Sequence, residues 1–99
     1  MPEKTTQQNE TPETIPVDAA VKIAVQYFSA LIQHTFTDLA VEEVEKTDDD
    51  RFWLVTLGYS MPSASAPFAI LTGNSTRLYK LVRIKAQTGE PISMKIRNL

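Results

Sequence analysis

The chain has 99 residues, of which 42% are hydrophobic and 22% are charged, and its formal net charge is −2. This length and composition predict one globular domain that can fold unaided. The acidic balance argues against a nucleic-acid-binding protein, which needs a basic face. The absence of cysteine excludes disulfides, thiolate metal sites and cysteine nucleophiles.

Residues 1–14 are rich in Thr, Gln, Glu and Pro and show no apolar periodicity. Such a segment cannot offset its ordering entropy by burial, so we expect a disordered tail. It lacks the apolar core of a signal peptide, and no apolar run approaches the length that spans a bilayer. These features predict a cytoplasmic protein with no membrane partner.

Residues 16–35 form the one convincing helix of the sequence. At about 100° per residue its polar side chains cluster on one narrow side, and the remaining apolar arc spans roughly 220°. These polar residues are Asp18, Lys22, Gln26, Ser29 and Gln33. A helix on one flat surface needs a stripe of little more than about 100°. We therefore expect cover from more than one direction, by a curved sheet and with the help of a second copy.

Alternating apolar residues and turn signals predict four strands, at residues 39–47, 51–60, 77–86 and 92–97. The first could also be a helix because of its glutamates, and as a strand it needs a bulge between Val41 and Val44. Gly89 supplies the positive φ for the turn at residues 86–91. The side chains predicted to face the helix are Trp53, Val55, Leu57, Tyr59, Val82, Ile84, Ile92, Met94 and Ile96.

Residues 60–76 are predicted to form a long loop, punctuated by Pro62, Pro67 and Gly73. Loops of this length in a compact domain are uncommon and often functional. A solvated loop does not need the apolar patch at residues 68–71, so we expect these side chains to contact the rest of the chain or another molecule.

The order of elements predicts an α+β fold over residues 15–99: one N-terminal helix packed on a curved four-stranded antiparallel sheet. Three stretches carry a family resemblance: PVDAAVKIA at 16–24, WLVTL at 53–57, and YKLVRI at 79–84 followed by AQTGEPIS at 86–93. Together they resemble a PepSY-type domain and its cystatin-like relatives. The resemblance implies this same helix-on-sheet fold, although nothing matches the protease-binding loop of cystatins.

The sequence offers no pattern that carries catalysis. His34 is the only histidine, and no nucleophile motif surrounds the serines. We therefore expect His34 to be a polar residue at the end of the helix or at an interface. The aspartates at 48–50 lack the alternation and glycine of a calcium loop and predict a turn. We therefore predict no enzyme, no cofactor and no metal.

The overwide apolar helix face and the apolar loop patch predict a small non-enzymatic protein-interaction domain that is a homodimer. The predicted interaction residues are Tyr27, Phe68, Ile70, Leu71, Tyr79 and Arg83. Two of them, Tyr79 and Arg83, lie on a basic strand face that suits an acidic partner or is simply solvated. Two alternatives stay open: a protease-inhibitor or immunity-type domain, as the resemblance implies, and a small-molecule binder with residues 60–76 as a lid.

Overall fold

The computed structural model describes residues 13–62 and 75–98. One helix and four strands make up this part of the chain: α1 (Val17–Leu31), β1 (Thr37–Lys46), β2 (Phe52–Pro62), β3 (Ser75–Lys85) and β4 (Pro91–Ile96). The strands form one antiparallel sheet in the order β1-β2-β3-β4, and the helix packs against it. The predicted α+β class is confirmed.

The strand β1 is the segment that the sequence left ambiguous between helix and strand. Val41 pairs with Leu57 and Glu43 pairs with Thr56, so Glu42 is the extra residue of a bulge. The bulge resets the alternation and lets Val44 return to the helix side opposite Val55. The bulge predicted between Val41 and Val44 is therefore confirmed.

The helix buries one stripe rather than its whole apolar arc. Ala20, Ala24 and Phe28 are completely buried, at the i, i+4, i+8 spacing of a single ridge. The two alanines let the helix backbone approach the sheet closely. The ring of Phe28 then packs edge-to-face on Phe36 and Tyr59, with centroid distances of 5.1 Å and 4.9 Å.

Backbone and side-chain hydrogen bonds fix the start of the helix on the sheet. Ile15 N–H donates to the Ala86 carbonyl oxygen at 2.8 Å, and Trp53 Nε1–H donates to the Ile15 carbonyl oxygen at 3.1 Å. Gly89 has φ of 82° in the β3–β4 turn, as the sequence predicts. A Cβ at this glycine would lie 3.0 Å from Ile23 Cδ1, so the turn also lies directly against the helix.

Several predicted boundaries are wrong by a few residues. The helix ends at Leu31 because Ile32 is extended, with φ of −81° and ψ of 124°. β2 and β3 continue to Pro62 and from Ser75, so both ends of the predicted loop 60–76 are paired strand. The rest of that loop and almost all of the predicted tail lie outside the described residues.

Candidate interaction surface

The face of the sheet opposite the helix is built around an arginine of β3. Arg77 Nη1 donates to Ser60 Oγ at 3.2 Å and to the Asp38 carbonyl oxygen at 2.6 Å, and its Nη2 donates to Glu42 Oε2 at 2.8 Å. The hydrogen bond to Glu42 raises the pKa of the Arg77 guanidinium above its ordinary value. Gly58 lies under this ion pair, where a Cβ would come 2.5 Å from Glu42 Oε2.

A second arginine crosses the same face from beyond the end of β4. Arg97 Nη1 lies 2.6 Å from Thr56 Oγ1 and 2.7 Å from Glu43 Oε1. Thr56 and Ser60 are polar residues of the central strand β2, yet they are almost completely buried. The side chains of the two arginines cover Thr56 and Ser60, as a second helix would. Their N–H groups donate hydrogen bonds to the two hydroxyl oxygens.

The sequence predicted only a basic strand face around Tyr79 and Arg83, and it did not predict that Arg77 and Arg97 cross the sheet. A signal was present: Thr56, Gly58 and Ser60 alternate as small residues on one face of β2, which leaves room for long side chains. The ion pairs of both arginines are internal to the chain. They consequently reduce the charge that this face can offer to an acidic partner.

The structure separates the predicted interaction residues. Tyr79 and Arg83 lie on the helix-free face of β3, four residues apart, and the Arg83 guanidinium stacks 4.2 Å from the centre of the Phe52 ring. Tyr27 is half-buried on the helix, on the other side of the sheet. The remaining three predicted residues, Phe68, Ile70 and Leu71, lie outside the described residues.

One of the apolar surfaces that the fold leaves exposed lies along β4. Ile92 is 42% exposed and Ile96 is 75% exposed, whereas Met94 between them packs against the core. Met94 lies opposite Val82 on the helix side of the sheet, and Ile96 shares that side by alternation, whereas Ile92 is the extra residue of a bulge. We call Ile92, Met94 and Ile96, together with the neighbouring exposed Leu78, the β4 surface.

The prediction that Ile92 and Ile96 are core residues is therefore wrong, although the predicted face of Ile96 is right. Ile96 pairs with Lys80, which pairs with Leu57, so Ile96 lies two strands away from the buried centre of β2. Two strand spacings are about 10 Å. The buried stripe of a single helix does not cover that width, and the edge strand stays open.

A cleft of about 300 Å³ opens beside the end of β4. It is lined by Tyr59, Arg77, Leu78, Tyr79, Lys80, Ile96, Arg97 and Asn98. Burial raises the pKa of the Tyr59 hydroxyl above its ordinary value, so this phenol stays neutral. The cleft joins the β4 surface at Leu78 and Ile96, which adds concave apolar area to it.

The other edge of the sheet is constructed differently. β1 carries two register shifts and a residue with positive φ, Asp38 at 56°. It also carries three glutamates, at positions 42, 43 and 45. Bulges and charges are the usual devices that keep an edge strand from pairing with another chain. β4 carries one bulge, at Ile92, and it also carries Pro91 and Lys95, but it has no carboxylate between Pro91 and Ile96.

Within residues 13–62 and 75–98, no three His, Asp or Glu side chains converge as metal ligands. His34 is exposed just after the helix. No helix in the same part of the chain combines the length and apolarity needed to cross a bilayer.

Comparison with known proteins gives no relative on which to base a function: the chain matches no protein-family model, and no curated protein and no solved structure is significantly similar to it.

Proposed function

We propose that this protein is a small non-enzymatic interaction domain that self-associates as a homodimer, and that it does so through the β4 surface. The observation that carries the proposal is the apolar edge itself. Ile96, at 75% exposure, is the most exposed large apolar side chain in the described part of the chain. Uncovered apolar side chains next to one another commonly mark a protein interface.

The charges of the described residues favour this edge over the helix-free face. The two arginines of that face already bind Glu42 and Glu43 of the same chain. An acidic partner would have to displace these carboxylates, whereas the β4 surface has no internal ion pair to break. An interface there would bury the exposed 42% of Ile92 and 75% of Ile96, which contributes a part of the about 1.5–3 kcal/mol that full burial of an exposed isoleucine gives.

The direct test is the molar mass of the native chain in solution as a function of concentration. Light scattering after size exclusion, from about 1 µM to about 1 mM, covers the range expected for a small interface. We expect the mass to rise toward twice the monomer value. A strictly monomeric chain over the whole range would refute self-association.

Matched substitutions then locate the interface. Ile92→Asp on β4 and Val41→Asp on β1 each place a new carboxylate at a position that is 42% exposed in the native chain. We expect Ile92→Asp to leave a monomer and Val41→Asp to leave the dimer intact. The reverse result would move the interface to the other edge of the sheet.

The cleft beside β4 supports a second candidate, a small-molecule binder. Its volume of about 300 Å³ lies at the lower end of ligand pockets, and it is open to solvent. Saturable NMR shift changes at Leu78 and Tyr59 on adding a small aromatic ligand, in a chain that stays monomeric, would favour this candidate over self-association.

Two further proposals, an inhibitor or immunity-type role and a cytoplasmic location, rest on the sequence alone. The protease-inhibitor or immunity-type alternative rests on the PepSY and cystatin resemblance alone. We also propose a cytoplasmic location, which the lack of cysteine supports. Fractionation of the native host cells, followed by detection of the chain, tests that location.

A further inference from the structure

We infer that the cleft beside the end of β4 is a binding site for a small carboxylate that carries an apolar group. This inference rests on the second candidate function, small-molecule binding, and specifies the class of ligand. It does not depend on self-association. The observations that carry it are two polar side chains of the cleft that lack partners and two exposed apolar side chains beside them.

Four of the residues that line the cleft share the helix side of the sheet. Tyr59 of β2 lies opposite Leu78 of β3, and Lys80 of β3 lies opposite Ile96 of β4. Directly opposed residues of an antiparallel pair share a face, and so do residues two apart along a strand. The Tyr59 ring contacts the Phe28 ring of α1, which identifies this face as the helix side. The four side chains are therefore neighbours on one wall of the cleft.

The Tyr59 hydroxyl is a hydrogen-bond donor without an acceptor. Tyr59 is 2% exposed, and its hydroxyl makes no hydrogen bond within the described part of the chain. In that same part, no side-chain oxygen or nitrogen is both sealed from solvent and without a partner. The small exposed fraction of Tyr59 therefore includes the hydroxyl, which opens into the cleft that this residue lines. Because a buried phenol usually has a hydrogen-bond partner, an acceptor oxygen of a ligand would complete this site.

Lys80 supplies a positive charge that no described residue neutralises. Its side chain is half-buried, and it takes part in none of the ion pairs or hydrogen bonds of the described residues. Arg77 and Arg97 also line the cleft, but their guanidinium groups bind Glu42 and Glu43 on the opposite face of the sheet. No aspartate or glutamate of the described residues lines the cleft. A negatively charged ligand would therefore meet one available cation and no competing carboxylate.

The number and spacing of the two donors favour a carboxylate over other anions. Tyr59 and Lys80 are diagonal neighbours on adjacent strands, about 7–8 Å apart at the backbone, so their long side chains can reach the same ligand group. A carboxylate has two acceptor oxygens, one for the ammonium and one for the phenol. A phosphate dianion would bring a second negative charge, for which the described lining residues hold no further available cation.

The apolar part of the ligand would cover Leu78 and Ile96. These two side chains are diagonal neighbours on β3 and β4, on the side of the cleft toward the open edge. They are 36% and 75% exposed, so an apolar group placed on them would remove apolar surface from water. The cleft volume of about 300 Å³ lies at the lower end of ligand pockets and suits a single ring rather than a long chain.

An NMR titration with 4-phenylbutyrate tests the ligand class, and 4-phenylbutyramide is the matched control, because it keeps the ring and the linker but carries no charge. With the acid we expect saturable shift changes at Tyr59, Leu78, Lys80 and Ile96. The amide should bind at least about tenfold more weakly, since it loses the charge-assisted bond to the ammonium. Equal affinities for the two compounds would overturn the inference of a carboxylate.

Three substitutions then assign the two donors. Lys80→Met should abolish the preference for the acid over the amide, whereas Lys95→Met should leave it unchanged, because Lys95 lies opposite Leu81 on the helix-free face. Tyr59→Phe keeps the ring on Phe28 and removes only the hydroxyl, and it should weaken binding of the acid by about threefold to tenfold. A preference for the acid that survives in Lys80→Met, or an unchanged affinity in Tyr59→Phe, would overturn the proposed site.

The outcomes separate this inference from the proposed functions. The titration is run on the native chain and on Ile92→Asp, whose altered residue does not line the cleft, so a dimer that hides the cleft cannot imitate a failure to bind. No saturable shift with either compound in either chain would overturn both the inference and the small-molecule candidate, while light scattering alone decides self-association. Equal binding of both compounds would overturn the carboxylate and keep the small-molecule candidate. Acid-selective binding that Lys80→Met abolishes would establish the site.

Discussion

Replacing Phe28 with leucine should lower the free energy of unfolding of the domain by about 2 kcal/mol. The ring is completely buried and contacts two other rings at 5.1 Å and 4.9 Å. A hydrophobic exchange of similar size usually costs less than about 1.5 kcal/mol, and each lost aromatic pair adds about 0.5–1.5 kcal/mol beyond burial. The two lost aromatic pairs alone account for about 1–3 kcal/mol, with a middle value of about 2 kcal/mol, and the Phe36–Tyr59 pair is kept in the variant.

Urea unfolding measures this loss directly. The single tryptophan, Trp53, reports on the docking of the segment before the helix, because its indole N–H binds the Ile15 carbonyl oxygen. Circular dichroism reports on the helix in the same samples. Both signals should give one transition at a lower urea concentration with an unchanged slope, as for a two-state domain.

Tyr27→Leu is the matched control for this prediction. Tyr27 lies next to Phe28 in sequence but is only half-buried at the margin of the core. In the monomer, Tyr27→Leu should lower the free energy of unfolding by less than about 1 kcal/mol. If Tyr27→Leu were as damaging as Phe28→Leu, or if Phe28→Leu cost less than about 0.5 kcal/mol, the single buried stripe would not be what holds the helix.

Two further predictions concern turns and close approaches. Gly89→Ala should lower the free energy of unfolding, measured in urea, by about 1–2 kcal/mol, because φ is 82° there and Ile23 lies where the Cβ would be. Gly58→Ala should change the free energy of unfolding by no more than about 0.5 kcal/mol. At Gly58 the new methyl would meet Glu42 and Arg77, whose long side chains form a partly exposed ion pair and can shift, and the lower entropy of the unfolded chain compensates; equal costs at the two glycines would contradict this reasoning. The Thr47 hydroxyl at 2.7 Å lowers the pKa of the Asp49 carboxyl below 3.8. The ionised Asp49 carboxylate therefore stabilises the folded state at pH values above its ordinary pKa. This stabilisation is lost as the pH falls through the lowered pKa. The difference in urea midpoint between the native chain and Asp49→Asn should therefore be largest near neutral pH and shrink in acid, and a difference independent of pH would refute it.

Local patterns in the sequence were sufficient for the class of fold. The two-residue alternation of Trp53, Val55, Leu57 and Tyr59 predicts a strand and its buried face, because side chains of a strand alternate regardless of its neighbours. The positive φ of Gly89 follows from the turn chemistry of a single residue. The bulge between Val41 and Val44 follows from a break in alternation. These features depend on contacts only a few residues apart.

Only the tertiary structure decided which apolar side chains stay exposed and which polar ones become buried. Ile96 has the alternation of a core residue, yet its strand is the outermost of the sheet and the helix does not reach it. Thr56 and Ser60 look like solvent-facing positions, yet Arg97 and Arg77 cross the sheet to cover them. Strand order and side-chain reach set these outcomes, and both depend on residues 17 to 41 positions apart in the chain.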